Sequence, residues 1–363
     1  MTDPLVSLPK AHLHLHFTGS MSADTLEDLA AEAGMPMSDQ LLGDRVTGLS
    51  PDERGWFRFQ RLYDMARGVV RGEEVMRRLV REAAAADRAE GSRWLELQVD
   101  PTSYAPFVGG ITPALEIILD EAAAASDEDF GMAIVVAASR TRHPLDARML
   151  ARLAAHHAGT GPGQVVGFGL SNDERRGTTA DFGRAFDIAR RAGLLSVPHG
   201  GELLGPDHIR AVVTELAPNR LGHGIRAGED PRLLDEIVAA GIGLEVCPGS
   251  NVALGVYPDI EHVPLRRLLD AGADIALGAD DPLIFHTRLA DQYRFAAQLG
   301  LTDGELADLA KSSFAISAAP AEVVARAEAD IDAWATGRGD AERGPSEDAS
   351  SPGEGSAESD RSR

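Results

Sequence analysis

The sequence is poor in the features that cross-link, anchor or export a protein. Its single cysteine, Cys247, cannot form a disulfide within the chain. No apolar run reaches the roughly 18 residues that a membrane-spanning helix requires. The first ten residues, MTDPLVSLPK, lack the basic start and the apolar core of a secretory signal. These absences favour a cytoplasmic protein with no membrane partner.

Positive charge is also scarce. The chain carries 35 Lys and Arg residues against 57 Asp and Glu residues, which gives a formal net charge of -22. Because such a field repels nucleic acid and anionic lipid, the expected partner is a small molecule, and no nucleic acid is expected. Residues 336–363 are rich in Gly, Ser, Pro and acidic residues and cannot form a core. We predict a disordered tail over 336–363, after a single domain over 1–335.

Short β-like runs alternate with amphipathic helical segments from residue 91 onward, which is typical of repeated βα units with parallel strands. Eight such runs predict an α/β fold of the (β/α)8 TIM-barrel type. The predicted strands are 11–17, 93–99, 132–139, 165–171, 194–200, 220–225, 242–250 and 274–281. Because residues 18–92 separate the first two strands, we expect extra helices there, and residues 286–335 predict more at the C-terminus.

Polar residues stand at the predicted carboxyl ends of the strands, where barrel enzymes form their active sites. His14 and His16 are two residues apart, so both side chains should leave the same face of the first strand. A closed barrel would bring His199 and Asp280 to the same mouth, and three imidazoles with one carboxylate suit zinc. The alternative is that the histidines are hydrogen-bonded core residues. We expect His12 to point the same way, one layer deeper, and to support the site.

Three further polar residues follow predicted strand ends. Glu202 closes the segment HGGE, whose glycines permit a tight turn back towards the site, so it is a candidate general acid or base. Alternatively, it is an acid at the N-terminus of a helix. His223 lies between two glycines, which alone is weak evidence for a ligand site. Adjacent residues of a strand point to opposite sides, so we assign Asp280 to the metal and Asp281 to the substrate.

Five motifs in series, PKAHLHLHFTG, HGGE, LGHG, EVCPGSN and GADDP, resemble the adenosine deaminase family, zinc-dependent purine deaminases of the amidohydrolase superfamily. The resemblance extends over residues 9–335. It implies zinc held by His14, His16, His199 and Asp280. It also implies hydrolytic deamination of an adenine nucleoside at purine C6, as in the conversion of adenosine to inosine and ammonia.

The resemblance also implies roles for the remaining polar residues. Glu202 would protonate purine N1, His223 would orient or deprotonate the attacking water, and Asp281 would bind near N7. The segment GLSNDE matches a loop whose backbone N–H binds N3, and Asn172 stands where the family often has glycine. Binuclear relatives bridge their metals with a carboxylated lysine, but this chain has no lysine between residues 11 and 310. We therefore expect one Zn²⁺ per chain, with water as its remaining ligand.

One motif departs from the family pattern. Adenosine deaminases commonly read HLDG after the second histidine, with the aspartate near the ribose 5'-hydroxyl, whereas this chain reads HFTG, with Thr18 at that position. The form HFTGSM resembles the branch that deaminates 6-aminodeoxyfutalosine in menaquinone biosynthesis, although that branch often has arginine where this chain has Ser22. An anionic 5' group would need a cationic partner. Candidates are Arg142, Arg140, Arg54, Arg58 and Arg61.

Several alternatives stay open at this point. Trp56, Phe57 and Phe59 either cover an aromatic substituent of the substrate or simply pack their helix. The enzyme could instead act on free adenine or on an amide. A nucleoside-binding pseudoenzyme would not need the acid and base groups that accompany the metal ligands. A site of the cytidine deaminase type needs Pro-Cys-x-x-Cys, which a chain with one cysteine cannot build.

Overall fold

Eight parallel strands form a barrel in the computed structural model, which describes residues 3–43, 46 and 49–343. Each strand pairs with the next in chain order, and an isolated bridge between Leu15 and Asp280 joins the segment after the last strand to the first. The predicted (β/α)8 fold is confirmed. The strands are β1 (Lys10–His16), β2 (Ser92–Val99), β3 (Gly131–Ser139), β4 (Val165–Ser171), β5 (Leu195–Gly200), β6 (Arg220–His223), β7 (Gly243–Val246) and β8 (Ile275–Leu277).

Helices connect the strands and surround the barrel. The N-terminal helix α1 (Pro4–Ser7) is followed, after β1, by the predicted extra helices α2 (Ala23–Ala33), α3 (Asp39–Leu42), α4 (Glu53–Arg67) and α5 (Glu73–Ala89). The later connections contain α6 (Ala105–Val108), α7 (Ile111–Ala124), α8 (Pro144–His156), α9 (Gly183–Arg191), α10 (Pro206–Leu216), α11 (Pro231–Ala239), α12 (Pro248–Ala253) and α13 (Leu265–Asp270). The C-terminal helices are α14 (Pro282–Phe285), α15 (Leu289–Gln298), α16 (Asp303–Ala315) and α17 (Ala321–Arg343).

The C-terminal helix extends into the segment that was predicted to be a tail. Helix α17 continues to Arg343, so residues 336–343, which the sequence placed in the tail, are helical; residues 344–363 lie outside the described part of the chain. Within that described part, no helix combines the length and the apolar character needed to cross a bilayer.

Local sequence explains why the outer helices begin and end where they do. The Asp230 carboxylate accepts hydrogen bonds from the first N–H groups of α11, and Leu233, Leu234 and Ile237 form its buried stripe. Gly241, in the left-handed conformation at φ 64°, follows the end of the helix. Such an amphipathic helix buries one face on the barrel and exposes the other.

Strand β1 contains a register irregularity against β2. His12 pairs with Leu95, whereas Leu15 pairs with Leu97. An advance of three residues on β1 therefore matches an advance of two on β2. One extra residue in a strand shifts the alternation of its side chains between the two faces.

This irregularity separates His12 from the two histidines that follow it. Its Nδ1 lies 2.8 Å from an Asp87 carboxylate oxygen on α5, and its Nε2 accepts a hydrogen bond from the Ala279 N–H at 3.0 Å. His14 and His16 instead contact each other and the other predicted ligands. The expectation that His12 lies beneath them on the same face is therefore wrong, because it assumed unbroken alternation.

Candidate active site

The four predicted metal ligands meet at the carboxyl ends of the strands. The ring centroid of His14 lies 5.2 Å from that of His16 and 4.8 Å from that of His199, and His16 and His199 are 5.4 Å apart. A carboxylate oxygen of Asp280 lies 3.3 Å from His16 Nε2 and 3.8 Å from His14 Nε2. This group of three imidazoles and one carboxylate is a donor set that suits a single zinc ion.

Backbone pairing, and not membership of a strand, holds Asp280 in place. Its N–H donates to the His14 carbonyl at 2.9 Å, and its carbonyl accepts from the His16 N–H at 3.0 Å. Its φ is 63°, in the left-handed region. Since β8 ends at Leu277, the alternation argument that separated Asp280 from Asp281 does not apply. The left-handed turn directs the two carboxylates instead.

Buried nitrogen atoms support metal binding at this cluster. Nε2 of His14 and Nε2 of His199 are buried, and neither has a hydrogen-bond partner within the described part of the chain. His14 Nδ1 lies 2.8 Å from a carboxylate oxygen of Glu245, which orients the ring and leaves Nε2 free as a ligand. Because buried polar atoms are normally paired, these nitrogens fit a cation as their partner.

A buried ion network lies beneath the cluster. The Arg220 Nε donates to Glu245 at 2.7 Å, its Nη1 donates to the Ile316 carbonyl at 2.8 Å, and its Nη2 pairs with Glu96. Burial alone would raise the pKa of Glu245, but Arg220 and the hydrogen bond with His14 outweigh it and lower that pKa. The sequence signal for this network is a charged residue inside an apolar strand, as at Glu96 in β2 and Glu245 in β7.

An acid and a base lie beside the ligands. The His223 Nε2 is 3.5 Å from a Glu202 carboxylate oxygen. Burial raises the pKa of Glu202 well above its usual range, and the nearby carboxylates Asp280 and Glu174 add to the shift. Burial, together with His14, lowers the pKa of His223 to about 3. A carboxyl group that retains its proton can donate it, and the neutral imidazole beside it can accept a proton.

Glu174 positions Glu202, a role that sequence reasoning missed. Its carboxylate accepts hydrogen bonds from three successive N–H groups, those of Glu202 at 3.1 Å, Leu203 at 2.9 Å and Leu204 at 2.7 Å. These bonds hold the loop between β5 and α10. Glu202 therefore lies in a fixed loop ahead of the helix and not in its first turn.

Asp281 reaches the cluster because Gly19 leaves space for it. A Cβ on Gly19 would lie 1.8 Å from Asp281 Oδ1, so any side chain there would displace the carboxylate. That oxygen is buried and has no hydrogen-bond partner among the residues placed in the structure. Burial raises the pKa of Asp281 well above its usual range, so the carboxyl can retain a proton to donate to a ligand.

A cavity of about 290 Å³ opens from the cluster towards solvent. Asn172 lines it in the left-handed conformation, at φ 78°, which glycine adopts most readily. Arg142 lies at the rim, with its side chain 45% exposed and its Nε 4.0 Å from Asp100. The cavity is also lined by Trp56, Phe59, Tyr63, Gln98, Ser103 and Tyr104.

Two of the predicted substrate contacts lie elsewhere. Thr18 is fully buried outside the cavity lining, and its hydroxyl lies 2.6 Å from the Tyr104 hydroxyl. The Thr18 hydroxyl therefore faces Tyr104, which itself lines the cavity. Arg140 is buried, and its guanidinium donates to the His199 carbonyl at 3.0 Å, so it supports a predicted ligand.

Helix α4 lines the cavity with aromatic residues and with Arg67, but not with the arginines that the sequence suggested. Trp56 and Phe59 line the cavity, and Phe59 also stacks on Phe285 with ring centroids 5.5 Å apart. The packing role is therefore confirmed for Phe59, and a role of these residues in covering the substrate stays a prediction. The remaining candidates of this segment are exposed and lie outside the cavity lining: Arg54, Arg58, Arg61 and Phe57.

The family model described as adenosine deaminase matches residues 9–334. The chain belongs to the adenosine deaminase family. A Streptomyces virginiae protein named "Putative adenosine/adenine deaminase" is 58% identical over 336 residues, which span 92% of this chain and 98% of that protein. An adenine deaminase of Rhizobium leguminosarum bv. trifolii is 34% identical over 300 residues, which span 82% of this chain and 91% of that protein. This chain is accordingly an aminohydrolase of the adenosine/adenine deaminase type.

Solved structures share the fold at lower identity. An adenine deaminase from Arthrobacter aurescens matches with a TM-score of 0.80 and 24% identity, over 90% of this chain and 99% of that one. The Arabidopsis protein ADAL in complex with IMP matches with a TM-score of 0.80 and 21% identity, over 92% of this chain and 98% of that one. An amidohydrolase from Burkholderia ambifaria with bound Zn matches with a TM-score of 0.79 and 21% identity, over 92% of this chain and 93% of that one.

Removal of the Arg220 guanidinium, which lies beneath the cluster, should destabilise the barrel. Arg220→Met would leave Glu96 and Glu245 buried without a countercharge, so we expect the free energy of unfolding to fall by about 3–5 kcal/mol. Urea denaturation measures this change. The matched control, Arg190→Met, removes a surface pair with Asp187 and should change stability by less than about 1 kcal/mol. Equal losses in the two variants would contradict the importance of the network.

Proposed function

We propose that this protein catalyses the zinc-dependent hydrolytic deamination of an adenine nucleoside at purine C6, with adenosine giving inosine and ammonia. The observation that carries the proposal is the arrangement of Glu202 and His223 beside the cluster of three histidines and Asp280, at the base of one cavity. Family membership supports the reaction type.

His14, His16, His199 and Asp280 would hold one zinc ion. Zinc at such a site lowers the pKa of a water molecule towards about 7 and so supplies a nucleophile at neutral pH. The absence of a bridging lysine supports a single ion. Lys10 donates to the Leu8 and Glu90 carbonyls, and Lys311 is on α16.

The proton transfers are assigned to residues of the chain. Glu202 donates its proton to purine N1, which makes C6 electrophilic, and His223 orients the attacking water and accepts its proton. The water oxygen bonds to C6, and His223 passes the proton it accepted to the amino nitrogen. The bond from C6 to that nitrogen then breaks and ammonia leaves, while the proton of the C6 hydroxyl returns to Glu202, which gives the 6-oxopurine. Asp281 donates to N7, and the backbone N–H of Asn172 donates to N3.

The cavity lining supports a nucleoside with a neutral sugar. It includes polar side chains that suit hydroxyl groups, among them Gln60, Ser103 and Thr141. Its two arginines are not free cations, because Arg67 pairs with Asp64 at 2.5 Å and Arg142 lies beside Asp100. This balance favours ribose over the carboxylated 5' substituent of 6-aminodeoxyfutalosine. Free adenine is the second candidate, since relatives at 34% identity are named adenine deaminases.

Ammonia release from four compounds tests the substrate assignment. We expect kcat/KM to be highest for adenosine, with lower values for adenine, AMP and 6-aminodeoxyfutalosine, and chelation of the metal should abolish all activity. A value for adenine about tenfold above that for adenosine, equivalent to about 1.4 kcal/mol, would replace the nucleoside with the free base.

Replacement of the proposed proton donor should remove catalysis without removing the site. In Glu202→Gln the amide cannot protonate N1, so we expect kcat to fall by about 10²–10⁴-fold while zinc content and melting temperature stay near wild-type values. Steady-state kinetics and metal analysis measure both. The exposed control Glu261→Gln should keep full activity. Full activity in Glu202→Gln would remove Glu202 from its assigned role.

The partner of His14 should control metal affinity. Glu245→Gln weakens the acceptor that orients the His14 ring, so we expect zinc affinity to fall by about 10–100-fold in a chelator competition. Glu96→Gln provides the control, because Glu96 pairs with the same arginine but with no histidine. Equal effects of the two variants on zinc affinity would show that the charge network, and not the His14 contact, sets the affinity.

A further inference from the structure

Gln98 presents a buried amide to the cavity with nothing bonded to it. The residue is 1% exposed and lines the cavity, yet neither Oε1 nor Nε2 has a hydrogen-bond partner in the described part of the protein. Its backbone lies on β2, opposite His16 on β1 and Val135 on β3, and its carbonyl accepts the Phe17 N–H at 2.9 Å. The amide is thus held on a rigid element and directed into the site.

A second buried glutamine shows what a structural amide looks like in this protein. Gln292 is fully buried, its Oε1 accepts from the Gly249 N–H at 3.0 Å, and its Nε2 donates to the Arg288 carbonyl at 3.1 Å. Gln98 makes neither kind of bond. Because a buried amide without partners costs stability, leucine or methionine would fill the same space at less cost. The partner that Gln98 lacks is therefore a ligand in the cavity.

The order of the strands indicates which part of the ligand Gln98 faces. On the proposed function, Asn172 after β4 faces N3, Glu202 after β5 faces N1, and Asp281 after β8 faces N7. Around the edge of a purine, N3, N1 and N7 follow one another in the same order as β4, β5 and β8 around the barrel. The remaining edge, which carries the substituent at N9, then faces β1, β2 and β3, and Gln98 lies on the middle strand of this arc.

We propose that Gln98 binds the sugar of the nucleoside, with its amide hydrogen-bonded to a ribose hydroxyl. This inference rests on the proposed function, because it uses the orientation of the purine. An amide suits a hydroxyl, since it offers an acceptor and two donors. It also adds no charge to a site that already contains the acidic side chains of Glu202, Asp280 and Asp281.

Kinetics of Gln98→Met with deoxynucleosides tests the contact. We expect KM for adenosine to rise about three- to tenfold, the range for one neutral hydrogen bond, with kcat within about twofold of wild type. The same comparison is made with 2'-, 3'- and 5'-deoxyadenosine. For the one analogue that lacks the hydroxyl bound by Gln98, the KM of Gln98→Met should equal that of the wild type. An equal rise for adenosine and all three analogues would overturn the proposal.

Thermal stability distinguishes a binding amide from a structural one. Gln98→Met removes an unpaired buried amide, so its melting temperature should equal or exceed that of the wild type, at unchanged zinc content. The matched variant Gln292→Met breaks two hydrogen bonds and should melt lower, with KM for adenosine unchanged. A melting temperature of Gln98→Met lowered as much as that of Gln292→Met would overturn the inference.

The two proposals can fail separately. If the wild-type protein turns over adenosine and Gln98→Met leaves KM unchanged, the sugar contact is wrong and the proposed function stands. If the wild-type protein turns over no nucleoside, the proposed function is wrong, and the sugar contact fails with it.

Discussion

The backbone pairing of Asp280 with β1 is the constraint on which the rest of the site depends. Two hydrogen bonds, from the Asp280 N–H to the His14 carbonyl and from the His16 N–H to the Asp280 carbonyl, join the segment after the eighth strand to the first strand. They close the barrel and bring a carboxylate against two imidazoles in the same step. Because the pairing is made by backbone atoms, it fixes the spacing of the three side chains independently of any ligand.

The polar groups inside the barrel fall into two layers with different energetics. In the lower layer, Glu96, Arg220 and Glu245 satisfy one another. In the upper layer, buried atoms of His14, His199, Asp281 and Gln98 have no partners within the described residues. Buried polar groups are costly unless paired, so the lower layer stabilises the fold while the upper layer is complete only with its ligands.

Backbone strain is concentrated in the upper layer as well. Among the described residues, five other than glycine have positive φ, and three of them, Asn172, His223 and Asp280, follow or end a strand at the cavity. Residues persist in such conformations only where the surrounding structure enforces them. The barrel supplies that enforcement, which allows loop residues to hold reacting groups at fixed positions.

The eight strands, the extra helices after β1 and the cluster of motif residues could be predicted from the amino-acid sequence, because alternating βα patterns and polar residues at strand ends are local signals. The sequence did not show on which side of the strand His12 lies, since an extra residue in β1 can be recognised only from the pairing of β1 with β2. Nor did it show that Thr18 turns towards Tyr104, that Glu174 holds the Glu202 loop or that Gln98 lacks a partner. These contacts became visible in the folded chain, because hydrogen bonding between distant segments depends on how the chain is packed and not on the residue types alone.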